Sequence, residues 1–418
     1  MAPRRAWMPV LAPRPGGRLP RELSPERVDR LAAALPGGLE DPGFVEILSR
    51  IEQSPLHAGN RVRVFFRGAD AFAAMLEDLE AAASEILLET YILRGDETGR
   101  RFQQALAAAV GRGVRVRVLA DAFGSMRLAP AFWRAFAGAG IEARLFHRLG
   151  VPLRRFFFRD HRKILVVDRR IAYTGGMNIG DEYGSAILPT ERLYRDTHAR
   201  VEGAAAAEMA AVFREGWLRA EGEDFSLEPV VCAETGGARV MVLDSRPGRG
   251  ARELSAALAA IVGGARRRLW MTEAYFAPRR RVGGVLGRAV ARGVDVRLLL
   301  PGRTDVRTVR HAGHGFFAGL LRRGVRIFEY QPAVLHAKTI VADGRVSIIG
   351  SSNIDFRSFE RNAECNWAIF DEPVAGEMER QFLADLEQSR EIRAAEWRRR
   401  SGAHRAVDAL ARRLAPVL

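Results

Sequence analysis

The strongest constraint on how this chain can fold is a short pattern that it carries twice. His161-Arg162-Lys163-Ile164-Leu165-Val166-Val167-Asp168 and His336-Ala337-Lys338-Thr339-Ile340-Val341-Ala342-Asp343 both read His-x-Lys, four mostly apolar residues, then Asp. Each runs through a short turn and a second apolar stretch to a corner of small residues ending in Asn: Gly175-Gly176-Met177-Asn178, and Gly350-Ser351-Ser352-Asn353. From His to Asn the spacing is 17 positions in both copies. Two such units in register predict two homologous halves packed about a pseudo-two-fold axis, with their equivalent faces brought together.

Composition sharpens the pattern. Of the 65 basic residues only two are Lys, and they are Lys163 and Lys338. Every other cationic position has accepted Arg, so these two need a compact ammonium and not a planar fork. Two lysines dropped at random would both fall two places after a His roughly once in three thousand trials. The apolar run after each His is β-branched and reads as a strand, so His161 and Lys163 project from one face and can meet one ligand. Asp168 lies an odd number of residues from His161 and is expected to hold the hairpin turn or backbone. Asn178 is expected to return beside Lys163.

The remainder of the chain echoes itself around these motifs. Strand and helix patterns alternate from Val62 onward, which indicates an α/β fold. The Glu89-Thr90-Tyr91 strand is answered by Glu273-Ala274-Tyr275, and Arg112-Gly113-Val114 by Arg292-Gly293-Val294. These readings divide the chain into an N-terminal extension over 1–44, a first half over 45–230, a second half over 238–395 and a basic amphipathic tail over 396–418. In that tail Val407, Leu410 and Leu414 share one helical face among several Arg, a face suited either to an anionic membrane or to packing on the domain.

Bulk properties narrow the partners. At 418 residues with 48% hydrophobic content the chain can bury a large core, which excludes wholesale disorder. A net charge of +15 favours an anionic partner: nucleic acid, an acidic membrane or a phosphate-bearing substrate. The two cysteines, Cys232 and Cys365, make neither a disulfide framework nor a metal spacing, and they favour a reducing compartment. No apolar run reaches the ~18 residues needed to span a bilayer. The expected location is therefore the cytoplasmic face of the cell membrane, in peripheral contact.

The paired motifs resemble those of the phospholipase D superfamily. The flanking pieces are similar to short bacterial cardiolipin synthases without N-terminal transmembrane helices: Gly59-Asn60, Glu89-Thr90-Tyr91-Ile92, the stretch Arg195-Asp196-Thr197-His198 onward to Gly203, Glu273 to Pro278, and Asp355-Phe356-Arg357-Ser358 leading to Asn362 and Glu364. The resemblance implies two halves, each a mixed β-sheet flanked by helices, with one active site at their interface. It also implies transfer of a phosphatidyl group from one phosphatidylglycerol to another through a phosphohistidine, with release of glycerol. Hydrolysis, as in a phospholipase D, is the alternative; a nuclease ranks lower because no nucleic-acid module or basic aromatic stripe accompanies the motifs.

The catalytic set implied is His161, Lys163, Asp168, His336, Lys338 and Asp343. The N-terminal copy, with His161, is expected to supply the nucleophile, and His336 to handle the proton. Lys163, Lys338, Asn178 and Asn353 would bind the phosphate oxygens, and Asp196 and Glu364 are candidates to orient the two imidazoles. One departure is Gly176, where many first copies carry Ser. No cofactor is expected, and no His, Cys or acidic set has metal-ligand spacing. His57, His147, His198, His311, His314 and His404 read as surface or hydrogen-bonded residues. Phe156-Phe157-Phe158 between arginines could dip into lipid headgroups.

Overall fold

In a computed structural model, residues 24–147, 157–185, 188, 192–246, 251–278 and 280–414 are described. The strands of the first half are β1 (His57–Phe65), β2 (Glu85–Thr90), β3 (Arg115–Asp121), β4 (Glu142–Phe146), β5 (Arg159–Asp160), β6 (Lys163–Val167), β7 (Ile171–Gly175) and β8 (His198–Glu202). Those of the second are β9 (Ala238–Ser245), β10 (Arg268–Glu273), β11 (Phe276–Ala277), β12 (Asp295–Arg303), β13 (Arg326–Val334), β14 (Lys338–Ala342), β15 (Val346–Gly350), β16 (Ile354–Asp355), β17 (Asn362–Phe370) and β18 (Ser389–Glu391).

One sheet runs through both halves. Outward from its middle the first half reads β1-β8-β7-β6-β2-β3-β4, and the second reads β9-β17-β15-β14-β10-β12-β13-β18. The first seven places match, β18 is an added edge strand of the second half, and β1 pairs antiparallel with β9 where they meet. This is the sheet order that a pseudo-two-fold repeat requires. Helices cover both faces. Ala204–Arg219 and Glu372–Glu387 lie over the joint and bury Met209, Phe213, Trp217, Met378 and Phe382 in a core shared by the halves. The other face carries a separate core in each half, beneath Gly68–Ala81 and Glu97–Gly111 in the first and Ala251–Gly264 in the second.

The N-terminal boundary differs from the sequence expectation. Residues 1–23 lie outside the described residues, but Pro25–Ala34 and Pro42–Glu52 are helices. With Leu39 of the turn between them, they bury Val28, Ala32, Phe44, Leu48 and Ile51 in the second half's core, against Ala257, Ala260 and Ile261. Asp29 fixes them further through an ion pair with Arg288 at 2.6 Å. Apolar burial thus assigns 25–52 to the second half, although in sequence they precede the first, and each of the two helices starts at a Pro.

The two motif aspartates sit at the hairpin corners and not among the catalytic groups. Asp168, at the end of β6, accepts from the backbone N–H of Ala83, Ser84 and Glu85 and from the Ser84 hydroxyl at 2.7–2.9 Å. Burial pushes its carboxyl up, and these donors more than reverse the effect, leaving it below the usual range. Asp343 does the same for the N–H groups of Arg266, Arg267 and Arg268 at 2.8–2.9 Å. Both aspartates adopt positive φ, 51° and 56°, and both pin the loop that leads into the neighbouring strand, β2 or β10. This corrects their place in the catalytic set: the five-residue strand carries each Asp to the end opposite its His. Asp343→Ala strands three part-buried donors, so it is expected to lower unfolding free energy by about 1–3 kcal/mol. Urea denaturation would show the lower midpoint, while the folded fraction keeps its turnover within about threefold.

Candidate active site

The motif histidines meet at the seam between the halves, and each is held by the half to which it does not belong. The amide N–H of His161 donates to Ala363 O at 2.9 Å, and that of His336 donates to Arg195 O at 2.8 Å. The side chains repeat the exchange: His161 Nδ1 lies 3.0 Å from Glu364 Oε2, and His336 Nδ1 lies 2.7 Å from Asp196 Oδ2. With Nδ1 occupied, His161 leaves Nε2 for chemistry, and Nε2 of His336 meets Lys338 Nζ at 3.2 Å. All four groups are buried.

Charge on these groups is set by burial and by mutual attraction. Desolvation drives His161 down to about 4, outweighing the nearby Glu364 carboxylate, so it is neutral at pH 7. His336 is lowered for the same reason, helped by Lys338 and opposed by Asp196. Glu364 is pushed up by burial but held at about 2 by His161, Lys163 and Ser351. Its oxygens accept from Ser351 Oγ at 2.5 Å, Ser358 Oγ at 2.6 Å and Asn362 Nδ2 at 3.2 Å. Burial likewise pulls Lys163 down to about 7.

The lysines flank this pair. Lys163 Nζ donates to the carbonyl of His161 at 2.6 Å, and Lys338 Nζ donates to that of His336 while lying 2.9 Å from the His336 ring. An ammonium has three N–H groups, so each keeps donors for a ligand. The asparagines differ. Asn178 accepts at Oδ1 from the N–H of Ile92 at 3.1 Å and donates one Nδ2 N–H to the Tyr183 hydroxyl at 2.6 Å. Asn353 is buried with its Oδ1 unpaired among the described residues.

Sequence reasoning missed the tyrosines. Of six Tyr in the chain, four surround the two imidazoles: Tyr91 at 5.0 Å from His161, and Tyr183, Tyr194 and Tyr275 at 5.4, 5.7 and 6.0 Å from His336. Their scarcity beside 22 Phe was a signal of the kind the lysines gave. Glu273 was also missed as a site residue. It sits directly across from Lys338 in the β10–β14 register, whereas Thr90 faces Lys163 in β2–β6. This one-residue slip puts Glu273 on the Lys338 face, while its repeat partner Glu89 turns to the opposite face, towards Arg162 at 3.8 Å.

Most of the other histidines are hydrogen-bonded, as in His57 with Glu208 at 2.7 Å. His198 is the exception: it is buried, its Nδ1 has no partner among the described residues, and burial lowers it to about 4. Away from the seam, His311, His314 and Asp408 bring three ligand-type atoms within 4.8 Å of one another. There Arg400 Nη1 already holds Asp408 Oδ2 at 2.5 Å and His314 Nε2 faces Glu329 at 3.2 Å.

Comparison with known proteins places this geometry. The family model for the cardiolipin synthase phospholipase D-like domain matches residues 75–217 and again 258–386. The chain belongs to that family. It is 33% identical over 407 residues to a cardiolipin synthase of Geobacillus thermodenitrificans, covering 95% of this chain and 80% of that one. With cardiolipin synthase A of Pseudomonas aeruginosa strain LESB58 it shares 36% identity over 353 residues, 83% of this chain and 71% of that one. In fold it is similar to the crystal structure of a phosphatidylserine synthase from Haemophilus influenzae, with a TM-score of 0.68 at 14% identity over 90% of this chain and 97% of the other. Among the described residues no helix is long and apolar enough to cross a membrane.

Family membership also frames the departure at Gly176. A Cβ built there would meet Asp196 Oδ1 at 2.1 Å. The equivalent Ser351 has room and gives its hydroxyl to Glu364, so the first copy trades a hydroxyl for space beside the carboxylate that holds His336. Gly176→Ser is expected to displace Asp196 and cut turnover at least about tenfold at saturating substrate, with unfolding free energy falling by only about 1–3 kcal/mol; kinetics and denaturant titration on the same preparation check this. A pH effect follows from the histidines. His161 and His198 titrate near 4 when folded, against 6.5 for an ordinary imidazole. The unfolded chain therefore takes up protons that the folded one refuses. Their stability contribution is complete above about 6.5 and is lost as pH falls from there to about 4. Urea midpoints across that interval should decline, and more shallowly in His161→Gln.

Proposed function

We propose that this protein is a cardiolipin synthase that moves a phosphatidyl group from one phosphatidylglycerol to the glycerol hydroxyl of another at a membrane surface. The observation that carries the reading is the pair of buried imidazoles, each with Nδ1 against a carboxylate of the opposite half and flanked by one of the chain's two lysines, in a member of the cardiolipin synthase family.

His161 is the nucleophile. A neutral imidazole with Glu364 at Nδ1 presents the Nε2 lone pair to phosphorus, and the positive charge that grows on the ring in the transition state is stabilised by the buried carboxylate. The P–O bond to glycerol breaks as the N–P bond forms, and His336 Nε2–H gives its proton to the departing oxygen. Burial lowers His336 in the free enzyme; an anionic phosphodiester beside it favours the protonated form. The second phosphatidylglycerol then places its hydroxyl where glycerol left. His336 takes that proton, and oxygen displaces His161 from phosphorus to give cardiolipin. Lys163 and Lys338 supply N–H groups to the non-bridging oxygens, with the Asn353 amide beside them. Asn178 spends one amide N–H on Tyr183, which it holds against the His336 ring, and keeps the other for a phosphate oxygen.

Purified protein in mixed micelles with labelled phosphatidylglycerol should yield cardiolipin and glycerol, and His161→Ala should yield neither, a loss of at least about four decades. Phosphatidic acid as the only product would replace transfer by hydrolysis. His336→Ala given a phosphatidyl p-nitrophenyl ester, whose leaving group needs no acid, should accumulate the phosphatidyl adduct on His161; intact-mass and peptide analysis that places it elsewhere would overturn the assignment.

A further inference from the structure

The C-terminal helix, Gly402–Leu414, packs by the side that the sequence pattern did not mark. Asp408 is 3% exposed and Ala411 7%. Asp408 accepts from Arg400 at 2.5 Å and lies 2.9 Å from His311 Nδ1, while Ala411 nests with Ala277 and Ala312. Because Asp408 and Ala411 point into the domain, the apolar stripe about a third of a turn away points out: Val407 is 48% exposed, Leu410 61% and Leu414 47%. The stripe is not packed on the domain, and Arg405, Arg412 and Arg413 flank it.

The helix also lies beside the active site. Ala277, against which Ala411 packs, is two residues beyond Tyr275, whose ring faces His336. On the first-half side, the loop after β3 runs so close beneath Tyr91 that a Cβ on Gly124 would meet the Tyr91 carbonyl at 2.1 Å, and Tyr91 faces His161. That loop carries Phe123, 39% exposed, and Met126, 61% exposed. Exposed Arg127 follows Met126, and Arg159, buried next to the motif, lies against the Phe123 ring. Exposed apolar groups mixed with arginines therefore border the site from both halves. An open groove of about 400 Å3 beside the helix adds Arg322 and Arg323 next to Phe316 and Arg412.

We infer that the Val407–Leu410–Leu414 stripe, with the Phe123–Met126 loop, is the surface by which the protein sits on an anionic phospholipid bilayer. A scattered apolar residue needs no partner, but a stripe on a basic helix fixed with that stripe outward suits headgroups above and acyl chains below. A second copy fits less well, since it would set the same arginines against each other. The inference rests on the lipid substrate proposed above: docking here turns the seam towards the plane in which phosphatidylglycerol lies, so substrate reaches His161 without leaving the bilayer.

The test compares wild-type protein, the triple variant Val407→Ser/Leu410→Ser/Leu414→Ser, and Leu383→Ser, an exposed leucine on another helix, in co-sedimentation with vesicles of phosphatidylglycerol and phosphatidylcholine at 1:3 or of phosphatidylcholine alone. The triple variant should bind the anionic vesicles at least about tenfold more weakly, with Leu383→Ser unchanged and the neutral vesicles bound poorly by all three. Turnover of vesicular phosphatidylglycerol should fall in parallel, while turnover of short-chain phosphatidylglycerol dissolved below its micellar concentration stays within about twofold. A tryptophan at position 410, Leu410→Trp, should be quenched by lipids brominated on the acyl chain. Wild-type binding by the triple variant, or an unquenched Leu410→Trp, overturns the docking surface whatever the enzyme makes. Concentration-dependent dimerisation lost in the triple variant, with vesicle binding intact, would assign the stripe to self-association instead. If vesicle binding drops as expected but wild-type protein makes no cardiolipin from any form of phosphatidylglycerol, the surface stands and the proposed reaction falls.

Discussion

Everything at the seam depends on a reciprocal loan of carboxylates: Glu364 to His161 and Asp196 to His336. Buried charges are tolerated only when they are paired and hydrogen-bonded. Glu364 meets that condition with an imidazole of the other half and three donors of its own, and Asp196 with an imidazole and the Thr197 N–H at 2.7 Å. Separating the halves would leave each carboxylate short of its cross-seam partner and each imidazole without its tautomer-fixing contact. The reactive geometry is therefore a property of the docked pair, and the same contacts that prepare the imidazoles also hold the halves in register. Backbone bonds from His161 to Ala363 and from His336 to Arg195 make the alignment stiffer still.

Duplication supplied the frame, and local departures from it make the two copies unequal. Three tyrosines enclose His336 and one faces His161. Gly176 yields space to Asp196, whereas Ser351 donates to Glu364. The residue between His and Lys is Arg162 in the first copy and Ala337 in the second. Arg162 is fully buried and reaches across the seam, 3.1 Å from Ser245 O and 3.6 Å from Asp244; burial opposes its charge, but Glu89 and the other carboxylates around it raise its pKa above the ordinary value. Such a group is costly to bury and costlier to leave unpaired, so it ties the first motif to the end of β9 where the halves join. Unequal surroundings give two like imidazoles the means to serve as nucleophile and proton carrier.

The chain's ends extend the same logic outward. Helices from residues 25–52 close the second half's core, with Phe44 edge-on to Phe370 at 6.2 Å. The last helix is locked by a buried aspartate, which leaves its greasy side free. All of the chain's other basic residues are Arg, so the ammonium groups at the seam stand out in chemistry as well as in position.

Sequence alone determined the duplication, the α/β alternation and the two His-x-Lys pairs of the seam, because a motif with the same 17-position spacing in both copies and a two-lysine composition survive without knowledge of any contact. It also offered Asp196 and Glu364 as candidates to orient the two imidazoles, since those positions lie in recognisable stretches. What it could not decide were directions across space. Parity along a strand suggested that Asp168 turns away from His161, but only the hairpin showed both motif aspartates bound to the loops before β2 and β10. Which half lends which carboxylate, why Gly176 must be small, and how a one-residue slip turns Glu273 towards Lys338 while Glu89 faces Arg162 all depend on pairing between segments far apart in the chain. An amphipathic pattern records that a helix has two sides; which side is buried is settled by the partners it meets, here His311, Arg400 and the small-residue nest at Ala277.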